Sequence, residues 1–434
     1  MTAPGFAGLQ ALLGDDLIAP YGAHPDGVAR SLIRLPPTIG RLLGVHGPWR
    51  GAPLDLPGVA ERYERVVLLL VDGLGYTRLR RQAADDRGLA DLLDRYGAGV
   101  ANDGSWLGQP LLTVAPSTTA VATTVLAANG AAPGELGVLG YTQLMPRLGL
   151  VANMLFWQPA WGSARSSGDL EAWGLAPEAA LPTQTIYQVL AAAGVRSHTF
   201  SPVDIARSPL SRMQNAGAEV HGYIGWVDML TRLSAHLEES AGQPGYTFVY
   251  FPDFDSLMHR DGPATPTFLP LLEAFVAGLR RTLAGLSPTA KRSTLLLVTA
   301  DHGHHAVPRD QADFLDQHGE LRARMAWREG GEPRHVFLYA VKGKEAELAA
   351  QARSAFGERF RVLLGEEALL AGLYGDPAHL HEEALERVGD VVLLARGGAA
   401  LWDVRGEKLP LGMHGSLTEE ELLVPLLTLA LDVN

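Results

Sequence analysis

The chain has 434 residues, 47% of them hydrophobic and 19% charged, with a formal net charge of −12 at pH 7 and no cysteine. That length allows one large α/β domain or two smaller ones, and the absence of cysteine excludes disulfides, thiolate metal sites and a cysteine nucleophile. The acidic balance argues against a nucleic-acid-binding surface, so an anionic substrate needs concentrated local positive charge, for which bound metal is one source.

The first ten residues, M-T-A-P-G-F-A-G-L-Q, have no basic start and no continuous apolar core. No signal peptide is read there, no apolar run approaches the length of a membrane span, and a cytoplasmic protein is expected. Residues 1–60 are rich in Pro and Gly and read as an irregular arm with short helices. The first strong strand is Arg65 to Val71, which delivers Asp72 ahead of Gly73-Leu74-Gly75. Asp72 either caps a helix over Tyr76–Arg81 or offers its carboxylate to a ligand.

In the stretch Leu111–Gly130, Pro116 precedes Ser117-Thr118-Thr119, and Ala and Leu residues then continue as a helix until Asn129-Gly130 stops it. Hydroxyls at a helix start serve as caps. One of them can also act as a nucleophile, because the free N–H groups and the helix dipole there suit an anionic phosphoryl group.

The middle of the chain alternates. Helices are predicted over Thr183–Ala193 and Val227–Glu239, and strands over Val195–Ser201 and Tyr246–Phe251. The segment P-D-F-D-S-L-M-H-R-D-G-P follows. Asp255 and His259 are four apart, so one helical turn puts both on one face, where they can share an ion. Asp253 and Asp261 compete for the same reading. A long helix over Phe268–Leu286 leads to the run T-L-L-L-V-T-A-D-H, from Thr294 to His302. This is a strand buried on both faces, and it brings Asp301 and His302 to the strand edge where open α/β sheets bind ligands. For His304 and His305, ligation, support of a ligand and solvent exposure all fit.

Alternating strands and helices from 332 to 403 suggest a small α+β subdomain. His414 then sits between Gly412 and Gly415, and a helix starts near Thr418. Taken together, Asp72, Asp255, His259, Asp301, His302 and His414 form a mixed oxygen and nitrogen ligand set. Such a set suits zinc or manganese better than magnesium or calcium. Two ions roughly 4 Å apart can serve an in-line phosphoryl displacement.

The order of these pieces resembles the alkaline phosphatase superfamily and, within it, the nucleotide pyrophosphatase/phosphodiesterase family. The similar segments run from about Val66 to Leu427: V-D-G-L-G, A-P-S-T-T-A, D-S-L-M-H with D-G-P, D-H-G and the late H-G. The resemblance implies a single catalytic domain over 1–434. A mostly parallel central sheet would carry helices on both faces, with the 332–403 subdomain inserted before the last ligand. It selects Thr119 as nucleophile and Asp255 over Asp253. It assigns Asp255, His259 and His414 to one zinc, and Asp72, Asp301, His302 and the Thr119 oxygen to the other, with manganese as an alternative metal.

Where the family carries His-Gly-Ile and a phosphoryl-binding Asn, this chain has L-G-V-L-G-Y, ending in Tyr141. Tyr141 is therefore the expected substrate contact in place of that Asn. The implied activity is hydrolysis of phosphodiester or pyrophosphate bonds in small, nucleotide-type substrates. A phosphomonoesterase and a phosphonoacetate hydrolase are the alternatives, and an inactive metal-binding module ranks below both. The sulfatase pattern is absent, and no large insertion of the phosphoglycerate mutase kind follows Thr119.

Overall fold

Six of the seven residues in Arg65–Val71 are apolar, and the whole segment is buried as a central strand, β1. In a computed structural model describing residues 6–21, 30–85, 110–161, 168–403 and 409–432, it lies in a six-stranded sheet. The other strands are β2 (Arg196–Pro202), β3 (Glu219–Tyr223), β4 (Gly245–Phe251), β5 (Thr294–Thr299) and β6 (Leu426–Ala430), in the order β6-β5-β1-β4-β2-β3. All pairings are parallel except β5 with β6. Each fully buried Leu or Val of β1 contributes roughly 1.5–3 kcal/mol of apolar transfer free energy, so the strand that leads into Asp72 is among the most firmly anchored in the chain.

The helices that matter for the site are α1 (Thr119–Ala127), α2 (Gly225–Glu239), α3 (Asp253–Asp261) and α4 (Phe268–Gly285). Both faces of the sheet are covered. On one face His236 of α2 reaches Thr247 of β4, and Phe275 of α4 stacks on Phe251. On the other, Tyr187 of the helix Ile186–Ala192 stacks on Tyr246. That helix opens with a reciprocal capping box between Thr185 and Gln188.

A second sheet has seven antiparallel strands. Four lie between 330 and 395, and three, Thr142–Met145, Leu150–Asn153 and Gln158–Pro159, come from the segment after α1. The stretch expected to form a subdomain over 332–403 therefore shares its sheet with an earlier part of the chain. Within it, the strand His335–Leu338 forms one arm of a hairpin. Gly330–Glu332 turns through Pro333 and Arg334 and pairs with His335–Leu338. The second sheet is clamped to the segment carrying His414 by a fully buried ion pair. Arg334 donates to both carboxylate oxygens of Glu421, at 2.7 and 2.9 Å. Among the described residues no helix is long and apolar enough to cross a membrane.

Candidate metal centre

The carboxyl edge of the central sheet gathers the site. β1 and β5 run in register from Arg65 opposite Thr294 to Leu70 opposite Thr299. Two residues further on, that register sets Asp72 beside Asp301. The turns after both strands need glycine. Gly73 has φ of +76°, and a Cβ on Gly303 would stand 2.0 Å from the Glu420 carbonyl oxygen.

Asp301 Oδ1 accepts the backbone N–H groups of Gly73 and His302, at 3.1 and 3.0 Å. Its Oδ2 is buried with no hydrogen-bond partner in the protein. Asp72 repeats the arrangement, with Oδ2 accepting the Tyr250 hydroxyl and Oδ1 left unpartnered. The two orphaned oxygens lie 3.5 and 3.6 Å from His302 Nε2. The His302 Nδ1 faces the Gly303 carbonyl at 3.2 Å, which places its proton there and leaves Nε2 as an acceptor. The Thr119 hydroxyl donates to that nitrogen at 3.1 Å. Burial, with the charges of Asp301 and Asp255, pushes the Asp72 carboxyl well above the usual range. Two buried oxygens without hydrogen-bond partners, one imidazole nitrogen and a hydroxyl thus converge on one point. A divalent cation satisfies all four, and this group fits one.

The second group is built on α3. Its Asp255 and His259 share a helix face, with Nε2 of His259 3.2 Å from Asp255 Oδ1. The same oxygen lies 2.9 Å from His304 Nε2 and 3.7 Å from His414 Nε2. The Nδ1 of His259 faces the Gly412 carbonyl at 2.8 Å, and that of His414 faces the Ser117 carbonyl at 3.0 Å. Both rings therefore turn Nε2 inward, toward Asp255. Burial alone would raise the Asp255 carboxyl, but hydrogen bonds from His259 and His304 hold it well below its ordinary value. Burial also pushes His304 down to about 4, against the pull of Asp255. This donor set of one carboxylate and three imidazoles also fits a transition-metal ion. The two groups touch where the His302 and His414 rings stack, 3.7 Å apart at 18°.

The structure thus brings together all seven residues expected at the metal site and adds His304, for which the sequence left three uses open. The two adjacent threonines diverge. Thr118 is the N-cap of α1, and its hydroxyl faces the buried carboxyl of Glu332, whereas Thr119 faces His302. Burial pushes Glu332 up to about 8, against hydrogen bonds from Thr118 and from the Tyr141 backbone. Sequence reasoning missed Glu332, which sits at the end of a short strand with no pattern to mark it.

Tyr141 is tied to Glu332 through its backbone at 2.8 Å and to Asn153 through its hydroxyl. It does not line the cavity of about 330 Å³ that opens beside Thr119. That cavity is walled by Phe156, Phe248, Tyr250, Asp204, Gln214 and several hydroxyls. Those of Thr199 and Ser201 are buried without a partner. No Lys or Arg lines it among the described residues. Arg309 stands elsewhere in a short 3-10 turn, and Arg165 lies outside the described residues. Trp157 is a packing residue, buried with its indole N–H on the Leu175 carbonyl, while Trp161 and Trp173 are exposed.

The model of the type I phosphodiesterase / nucleotide pyrophosphatase family matches residues 66–417. The chain belongs to this family. Its fold is shared by solved members of the alkaline phosphatase superfamily. Murine ectonucleotide pyrophosphatase/phosphodiesterase 5 is 17% identical, with 84% of this chain and 87% of that chain covered at a TM-score of 0.60. An inactive variant of that murine protein has been solved in complex with AMP, at 16% identity, the same coverage and a TM-score of 0.61. Phosphonoacetate hydrolase from Sinorhizobium meliloti 1021, in complex with phosphonoformate, is 17% identical over 88% of this chain and 92% of that one, with a TM-score of 0.61. No curated protein matches the chain significantly.

Proposed function

We propose that this phosphodiesterase-family chain hydrolyses phosphodiester or pyrophosphate bonds of small nucleotide-type substrates, with Thr119 as nucleophile beside two zinc-class ions. The observation behind this reading is the Thr119 hydroxyl 3.1 Å from His302, among unpartnered carboxylate oxygens and at the mouth of a cavity. Asp72, Asp301, His302 and Thr119 would hold one ion, and Asp255, His259 and His414 the other. When bound, the ions supply the positive charge that lets the threonine hydroxyl ionise and that offsets the phosphoryl and leaving-group oxygens. The chain does the rest. Thr119 Oγ attacks phosphorus, the bond to the leaving-group oxygen breaks, and water then releases the phosphoryl group from threonine. The start of α1 directs its N–H groups at the anion, and the cavity takes the leaving group.

The cavity wall argues for a diester. A monoester carries a second negative charge and is helped by a cationic side chain beside the nucleophile. Here the wall offers aromatic rings, hydroxyls and the Asp204 carboxylate. kcat/KM for bis-p-nitrophenyl phosphate should exceed that for p-nitrophenyl phosphate on the same preparation. A preference for the monoester would place the enzyme among phosphatases, and turnover of phosphonoacetate above both would place it among carbon–phosphorus hydrolases.

Metal dependence is tested separately. Protein purified without chelator should hold about two transition-metal ions in this centre, and Asp301→Asn should lose metal and activity together, because it removes a charge that compensates an ion. Folded Asp301→Asn protein with full metal and full turnover would exclude the assignment. Tyr141 would reach the phosphoryl group only by giving up Asn153, so Tyr141→Phe should change kcat/KM less than about threefold, as expected for a contact worth well under 1 kcal/mol.

A further inference from the structure

The opposite face of the six-stranded sheet holds a second kind of cluster. Side chains alternate along a strand. On β2, the hydroxyl residues Thr199 and Ser201 line the cavity beside Thr119, whereas the rings of His198 and Phe200 pack against His236 of α2, at 4.3 and 5.5 Å. On the neighbouring strand β3, Glu219 pairs in register with His198, and His221 with Phe200. Residues two apart share a face, so Glu219 and His221 meet His198 on the side away from the candidate centre.

We propose that His198, His221 and Glu219 form a third transition-metal site, separate from the centre at the carboxyl edge. His198 Nδ1 lies 3.1 Å from His221 Nε2. Glu219 places one carboxylate oxygen 3.6 Å from the first nitrogen and the other 3.6 Å from the second. Ligands bound to zinc at about 2.0–2.1 Å in a tetrahedron stand roughly 3.3–3.4 Å from one another, so the three groups already trace one face of such a shell. A single proton shared between the imidazoles satisfies one contact, whereas a cation satisfies all three.

The rings are held for the task. His221 stacks on Phe200 at 4.7 Å and 16°, and His198 lies 4.3 Å from the ring of His236, which is itself hydrogen-bonded to Thr247. Burial, with His221 and Arg196 outweighing Glu219, keeps His198 below its ordinary pKa and so neutral, the state that binds metal. Glu219 is two-thirds exposed, which leaves room for water to complete the shell. Two imidazoles and one carboxylate select zinc, nickel or copper over magnesium or calcium. β3 is the last strand of the sheet, and a bound ion would pin it to β2, which forms a wall of the cavity on the other face.

The experiment must separate this site from the centre of the proposed mechanism. Zinc binding is measured by calorimetry and elemental analysis in an Asp255→Asn/Asp301→Asn background, with folding checked by circular dichroism. One zinc ion should remain bound in that background, and adding His198→Ala and His221→Ala should remove it. In the otherwise unaltered chain, the same two alanines should lower the zinc content by one ion. A zinc content unchanged by the two alanines, in either background, would overturn the site. If the doubly substituted protein does not fold, Glu219→Gln decides. It alters an exposed carboxylate only and should weaken zinc binding to this site at least about tenfold; unchanged affinity overturns the proposal.

Discussion

Thr119→Ala is expected to lower kcat by about 10⁴-fold or more while leaving metal content and thermal midpoint close to those of the unaltered protein. Loss of a nucleophile in a preorganised site costs on the order of 10⁴ to 10⁶ in kcat, and what remains comes from binding and electrostatics. The fold should tolerate the change, because the side chain is only partly buried and the cap of α1 is Thr118. Thr118→Ala should be much milder, since its hydroxyl faces Glu332 rather than His302. Steady-state kinetics and elemental analysis on both variants check this, and the reverse ranking would move the nucleophile by one residue.

The second large effect is on stability. Arg334→Ala is expected to cost about 3–5 kcal/mol, because it strands the Glu421 carboxylate in a fully buried position. Replacing both partners together, Arg334→Met with Glu421→Leu, should recover most of the loss, since no buried charge then remains. Urea denaturation of the three proteins measures it, and an Arg334→Ala midpoint matching the parent would refute the expectation. The pair also sets a pH dependence. Burial would raise the Glu421 carboxyl, but the charge and hydrogen bonds of Arg334 lower it below its ordinary value. A depressed folded pKa gives stability that is complete above the unfolded value, about 4.3 for Glu. That stability is lost as pH falls through the folded one. The Arg334→Ala and parent curves should therefore converge in acid.

Most of the candidate centre was legible because its parts are local signals at strand ends. Asp72 and Asp301 each follow a strand with no polar alternation, and Asp255 and His259 share a spacing of four, with the family resemblance selecting Asp255 over Asp253. His304 was not decided by sequence, because D-H-G-H-H offers three imidazoles within four residues and only the turn at Gly303 determines which of them point inward. The central sheet was legible for the same reason as Asp72. The second sheet was not. Thr142–Met145 and Leu150–Asn153 are four residues each, with no long apolar run, and their partnership with strands beyond 330 is set by tertiary packing. His198, Glu219 and His221 likewise lie on two strands whose parallel register no local pattern reveals.

The stacked pair His302 and His414 has a consequence for the order in which the protein is made. A ribosome releases the chain from its amino end, so Asp72, Thr119, Asp255, His259 and Asp301 all emerge before His414, and β6, which closes the edge of the sheet on β5, emerges after it. An incomplete chain has Thr119 and most of the charge but lacks the imidazole that backs onto the Ser117 turn. Contacts spanning nearly three hundred residues, such as His414 to Ser117, form late and slowly. The candidate centre is therefore completed last, and on the function proposed above, hydrolysis would have to await the end of the chain.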